Sequence, residues 1–203
     1  MKLILDNLAC ERGGRMLFSE LNLELAAGQG LLLQGPNGAG KTSLLKTIAG
    51  LIAPAEGEVR LEGGGQDASV GEQCHLIGHL SGVKRALTVA ENARFWARYL
   101  AGGAVEEALE RFSLAELGDL AAGLLSAGQA RRLALARLLL AHRPLWLLDE
   151  PAESLDAASR ELLAKLINGH LETGGLVVAA SHYGLGHDFG QELALGAQGA
   201  QVS

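Results

Sequence analysis

The sequence predicts an α/β fold: a core sheet of buried strands, an antiparallel β region at the N-terminus, and an α-helical lobe inserted into the core. Three observations carry that expectation. Leu31-Leu32-Leu33 and Leu145-Trp146-Leu147-Leu148 are short, continuous apolar runs, the pattern of strands buried on both faces in a parallel sheet. The first runs into a glycine-rich loop and the second into the acidic Asp149-Glu150-Pro151. Between them, the stretch from Thr88 to Leu125 changes character to helical periodicity.

Taken in order, Lys2 to Ala9 and Leu21 to Leu25 read as strands, with a turn at Glu11-Arg12-Gly13-Gly14 and clean alternation at Leu21, Leu23 and Leu25. Leu31 to Leu33 is the first core strand, and Thr42 to Ala49 the helix after it, with Leu44, Leu45 and Ile48 on one face. Gly50 stops that helix and Pro54 prevents its resumption. Glu58-Val59-Arg60-Leu61 alternates as a short strand before Gly63-Gly64-Gly65, and Leu76-Ile77 is the next core strand. Thr88-Val89-Ala90-Glu91 is a capping box that opens a helix through Phe95, Trp96, Tyr99 and Leu100, and a second helix runs from Ala104 to Phe112. These form the lobe, over residues 84–140. An aromatic stripe at helical spacing reads as core first and as a partner-docking patch second.

At 203 residues the chain can bury a full α/β core, and its length suggests one domain. A formal net charge of -6 argues against a nucleic-acid partner. Two cysteines, Cys10 and Cys74, make no disulfide framework, and the N-terminus has no signal-peptide pattern, so a reducing, cytoplasmic compartment is expected. Arg131, Arg132, Arg137 and His142 break the longest apolar candidates, so any membrane role needs a partner chain.

Gly35-Pro36-Asn37-Gly38-Ala39-Gly40-Lys41-Thr42 fits the phosphate-binding pattern G-x-x-x-x-G-K-[ST] and sits between strand and helix. Its glycines let the backbone bend so that successive N–H groups point at phosphate oxygens, and a helix N-terminus adds its positive end. Lys41 reaches the β- and γ-phosphates, and the Thr42 hydroxyl is placed to hold a Mg²⁺ ion. Gly35 to Ser43 are thus the expected nucleotide contacts; the bland alternative is a glycine-rich turn in a chain with 28 glycines. At the C-terminal end of the second apolar run, Asp149 would face the Mg²⁺ shell. Glu150, pointing elsewhere, would accept a proton from the attacking water or orient it.

Leu125-Ser126-Ala127-Gly128-Gln129 precedes a helix from Ala130 to Ala141, with Ser126 as N-cap, and reads as a second anion site. This stretch, the Arg-rich helix after it and the strand ending in Asp149-Glu150-Pro151 together resemble the signature region of ABC-type ATPases. The resemblance covers nearly the whole chain and implies a P-loop NTPase, RecA-like core, with residues 1–203 as one ATPase domain. It implies further roles. Glu153-Ser154-Leu155-Asp156 would contact an opposing subunit, and His182, after Leu176-Val177-Val178, would be the switch histidine at the γ-phosphate. The catalytic set is then Glu150, His182 and Lys41, with ATP and Mg²⁺ bound. Ser126, Ala127, Gly128 and Gln129 would act across a dimer, because such ATPases sandwich two nucleotides between two copies.

Three departures stand out. Arg12 replaces the aromatic that stacks on adenine in these ATPases, a role a planar guanidinium can take. The usual loop glutamine is missing from Gly78-His79-Leu80-Ser81-Gly82-Val83-Lys84, leaving His79 or Ser81 as substitutes. Ala127 replaces a glycine.

Cys10-Glu11-Arg12, Leu17-Phe18, Ile77-Gly78-His79 with Gly82-Val83-Lys84, and Leu87 to Asn92 narrow the resemblance to ATP-binding subunits of the cytochrome c maturation haem exporter. That implies integral membrane partners of that system, a peripheral place on the cytoplasmic face of the inner membrane, and ATP-driven haem delivery. Cys74, His75 and His79 lack a matching second cluster and predict no haem or zinc site here. The ATP subunit of another transporter is the main alternative; a P-loop kinase leaves Leu125 to Gln129 without a role, and a soluble ABC ATPase would need a second cassette or a coiled-coil insertion.

Overall fold

The computed structural model describes residues 1–65, 68–79, 82–182 and 184–196, together with the backbone of 199–202. β1 (Lys2–Arg12) and β2 (Arg15–Ala26) form a long antiparallel hairpin closed by Gly13 and Gly14. Both glycines have positive φ, 60° and 75°, as a two-residue turn between twisted strands requires. β3 (Gly30–Gln34) runs into α1 (Lys41–Ile48), and β4 (Glu56–Glu62) returns to the other edge of β1, completing a three-stranded antiparallel sheet of order β2-β1-β4.

The core sheet takes β3 together with β5 (Cys74–Ile77), β6 (Leu145–Asp149), β7 (Leu176–Ala180), β8 (Gly190–Gly196) and β9 (Gly199–Val202), in the order β5-β6-β7-β3-β8-β9. Its pairings are parallel except β8 with β9. The apolar strand runs follow from their place in it, because each strand feeds two cores in alternation. Leu145, Leu147, Leu176, Val178 and Ala180 face the antiparallel sheet and α1, whereas Trp146, Leu148, Val177 and Ala179 face the helices on the other side.

Those helices are α2 (Val89–Tyr99), α3 (Val105–Arg111) and α4 (Ala127–Leu140), inserted between β5 and β6, and α5 (Ala157–Glu172), between β6 and β7. The capping box at α2 forms as expected: Thr88 Oγ1 accepts from the Glu91 amide at 3.1 Å, and Glu91 Oε2 accepts from the Thr88 amide at 2.8 Å. The core reading of the aromatic stripe is corrected. α2 turns Val89, Ala90, Asn92, Ala93 and Ala97 inward, and these small residues leave Phe95 (38% exposed) and Tyr99 (73%) on the outside. Trp96 is half-buried beneath the Arg137 guanidinium, 3.8 Å from its ring centroid.

Two regions go beyond the sequence reading. α5 and the β8–β9 hairpin were not expected, although Asp156 caps α5 by accepting from the Ser159 amide at 2.8 Å. In a parallel sheet the loops at the C-terminal strand ends collect along one edge, and β3, β7 and β6 are neighbours. The residues after Gln34, Ala180 and Leu148 therefore converge.

Candidate active site

The phosphate loop leaves β3 at Gly35, whose φ of 130° belongs to glycine and whose Cβ, if present, would lie 2.1 Å from the Leu195 carbonyl oxygen. Backbone approach of that kind admits no side chain. Gly40, at φ 108°, delivers the chain into α1, so the helix N-terminus opens on the loop. Lys41 folds over the loop, its Nζ donating to the Gly35 carbonyl at 2.5 Å and the Pro36 carbonyl at 3.2 Å.

Asp149 and Thr42 are 107 residues apart yet adjacent, with the Thr42 hydroxyl donating to Asp149 Oδ2 at 2.8 Å. Asp149 is the last residue of β6 and is buried. The next residue leaves the strand abruptly: Glu150 has φ 48°, left-handed for a side-chain-bearing residue, and its amide donates to the Ala180 carbonyl at 2.8 Å. That turn rotates the Glu150 carboxylate away from Asp149 and toward the end of β7. There the His182 amide donates to Glu150 Oε2 at 3.1 Å, and His182 Nε2 lies 3.6 Å from Glu150 Oε1 and 3.3 Å from Asn37 Oδ1.

A cavity of about 250 Å³ opens here, lined by Pro36 to Ser43, Asp149, Glu150, Leu17 and His79, with Gly35 and His182 outside its lining. Arg12 does not line it. Arg12 ends β1 opposite Arg15, while Leu17, three residues past the hairpin turn, supplies the apolar wall beside Gly40, whose Cβ would lie 3.3 Å from it. An isolated leucine in an alternating strand gives no sequence signal for that place. Of the two substitutes for the missing glutamine, Ser81 lies outside the described residues and His79 lines the cavity, its Nδ1 3.0 Å from Glu153 Oε2. Cys74 and His75 point elsewhere, buried on β5.

Ser126 to Gln129 do not line this cavity. Ser126 is the N-cap of α4 in a second capping box, its Oγ accepting from the Gln129 amide at 3.2 Å and its own amide donating to Gln129 Oε1 at 2.9 Å. Gly128 packs against the loop after Glu150: a Cβ there would lie 2.8 Å from the Ser154 carbonyl oxygen. Ser126 is exposed, and in the loop after Glu150 the residues Glu153, Ser154 and Asp156 are exposed while Pro151, Ala152 and Leu155 are buried.

The family described as ABC transporter matches this chain over residues 18–153. A cytochrome c biogenesis ATP-binding export protein, CcmA, of Mesorhizobium japonicum is 50% identical over 202 residues, 98% of this chain and 100% of that protein. Its counterpart from Rhodopseudomonas palustris is 49% identical, over 88% of this chain and 90% of the relative. Among solved structures, a putative ABC transporter ATP-binding protein from Pyrococcus furiosus superposes with a TM-score of 0.81 at 25% identity, covering 96% of this chain and 98% of its own. A dimeric ATP-binding cassette in a post-hydrolysis state, bound to ADP and phosphate, shares the fold with a TM-score of 0.79 at 24% identity, covering 99% and 97%.

Proposed function

The chain belongs to the ABC transporter family, and within it to the cytochrome c biogenesis ATP-binding export proteins, and on that premise we propose that its ATP hydrolysis powers haem export for cytochrome c maturation. The observation that supports the chemistry best is the meeting of Lys41, Asp149, Glu150 and His182 at the ends of three adjacent parallel strands. Lys41 and the loop amides from Gly38 to Ser43 bind the phosphates; the helix N-terminus adds to their pull. Thr42 and Asp149 present hard oxygen donors 2.8 Å apart, the set that fits Mg²⁺, which when bound neutralises phosphate charge. Glu150 orients the attacking water and takes its proton, and His182 fixes the γ-phosphate from the other side, between Asn37 and Glu150. Leu17 walls the adenine side from the cavity's edge, and Arg12, outside the lining at the end of the same hairpin, reaches the base from beyond it.

Residues 1–203 act as one domain, with the lobe over residues 84–140. Ser126 to Gln129 act on the nucleotide of a second copy: they lie outside their own chain's cavity, Ser126 is exposed, and they form the first turn of a helix, whose positive end favours an anion. Among the described residues no helix is long and apolar enough to cross a membrane. The likeness to ATP-binding export proteins supports a peripheral place at the cytoplasmic face of the inner membrane, held by integral membrane partners of the cytochrome c maturation system. The outer face of α2 suits such a contact: Phe95 and Tyr99 stack at 6.4 Å, with Arg94 and Arg98 beside them and Lys84 over the Phe95 ring. Complementation tests this reading. In a bacterium lacking its own copy of this subunit, the wild-type chain restores covalent haem staining of c-type cytochromes and Glu150→Gln does not. Normal c-type cytochromes without the subunit would refute the assignment.

A further inference from the structure

Arg131 lies one turn into α4, five residues past Ser126, and is 6% exposed. Among the described residues it makes no ion pair with a carboxylate. Its guanidinium instead donates to four backbone carbonyls: Nε to Pro151 at 3.2 Å, Nη1 to Gly78 at 2.8 Å, and Nη2 to Asp149 at 2.7 Å and Glu150 at 2.6 Å. Burial lowers its pKa, and the nearby carboxylates of Glu153, Asp149 and Glu150 oppose that shift.

A helix packed on a sheet would ordinarily fill such a place with Leu or Met. Four carbonyls converging on one point require a planar, branched donor, which a lysine ammonium replaces only in part. The carbonyls are also a particular set. Asp149, Glu150 and Pro151 form the turn in which Glu150 takes its left-handed φ, and Gly78 precedes the cavity-lining His79. The same helix also touches the loop that follows this turn, where Gly128 closes on the Ser154 carbonyl.

We propose that Arg131 is a positioning residue for ATP hydrolysis, clamping the turn that aims Glu150 and tying it to the helix that carries Ser126 to Gln129. A shift of the signature loop against a second copy's nucleotide then moves the chain's own catalytic carboxylate through one rigid connection. Arg131 itself touches no nucleotide and works through Glu150, so the proposal rests on the role of Glu150 given above.

A double-mutant cycle on hydrolysis tests it, with Arg131→Lys, Glu150→Gln and the pair compared in kcat, KM and Kd for ATP. Arg131→Lys is expected to lower kcat about tenfold or more while KM and Kd stay within about twofold, and the pair to be no slower than Glu150→Gln alone. Arg131→Met, which keeps the stem and removes the donors, is the second probe, and thermal melting identifies a variant that has merely unfolded. Losses that multiply in the double variant, an unchanged kcat, or a raised KM alone would overturn the proposal while leaving Glu150 in its role. Full turnover by Glu150→Gln would overturn both.

Discussion

Glu150 and Asp149 show how much one backbone angle decides. Adjacent carboxylates in an extended strand would point to opposite faces of the sheet; here the left-handed φ at Glu150 keeps both at the sheet's end and separates them, one toward Thr42 and the other toward His182. A non-glycine residue in that region costs on the order of 1–2 kcal/mol, which the Ala180 carbonyl and the Arg131 guanidinium offset by fixing the turn's own amide and carbonyl. With binding assigned to Asp149 and the phosphate loop in the proposed mechanism, Glu150→Gln is predicted to lower kcat by about 10²–10⁴ with the Kd for ATP unchanged, read by steady-state hydrolysis and nucleotide titration. A loss of affinity equal to the loss of rate would place Glu150 in binding instead. At this scale the sequence was informative where chemistry imposes spacing, as from Gly35 to Thr42. It was silent at Leu17 and read Arg131 only as a charge interrupting an apolar run, because neither residue's role exists before the chain folds back.

Among the elements, β3, β6 and β7 were legible as continuous apolar runs, because burial on both faces leaves no room for a polar alternation. α5 and β8 were not: α5 buries His170 beside its leucines, and β8 alternates around Leu193 and Leu195 with Gly at either end. α2 was legible as a helix, but its aromatic positions were assigned inward, whereas close packing on alanines put two of them outside. His170 has a thermodynamic consequence. It stacks on Trp146 with ring centroids 4.0 Å apart, and burial pushes its pKa down to about 4, opposed by the Pro144 and Leu176 backbone contacts. His75 on β5 is likewise pushed down to about 4 by burial, against the Ala141 carbonyl 2.8 Å from its Nε2. Both stay neutral in the fold and take up protons near pH 6.5 when unfolded. The unfolded chain therefore binds more protons between about pH 6.5 and 4, and stability is lost as pH falls through that window, by up to ~1.4 kcal/mol per pH unit for each histidine. Thermal melting from pH 7.5 to 5 should show the decline, and a His75→Gln/His170→Gln variant should flatten it. An equally steep decline in the variant would assign the effect to other groups.

For the molecule as a whole, one chain carries a phosphate loop and a signature helix that do not share a cavity. Arg131 and the Gly128–Ser154 contact join them mechanically, yet Ser126 lies outside the cavity that Lys41 lines. On the proposed mechanism each site is half of a composite, completed by a second copy. Hydrolysis by Ser126→Arg tests that claim most directly, because a bulky cation at the helix cap blocks the partner's nucleotide and leaves the chain's own phosphate loop intact. The prediction is a fall in kcat of about 100-fold or more with the Kd of the isolated chain for ATP unchanged. Hydrolysis at the wild-type rate by monomeric Ser126→Arg would contradict it.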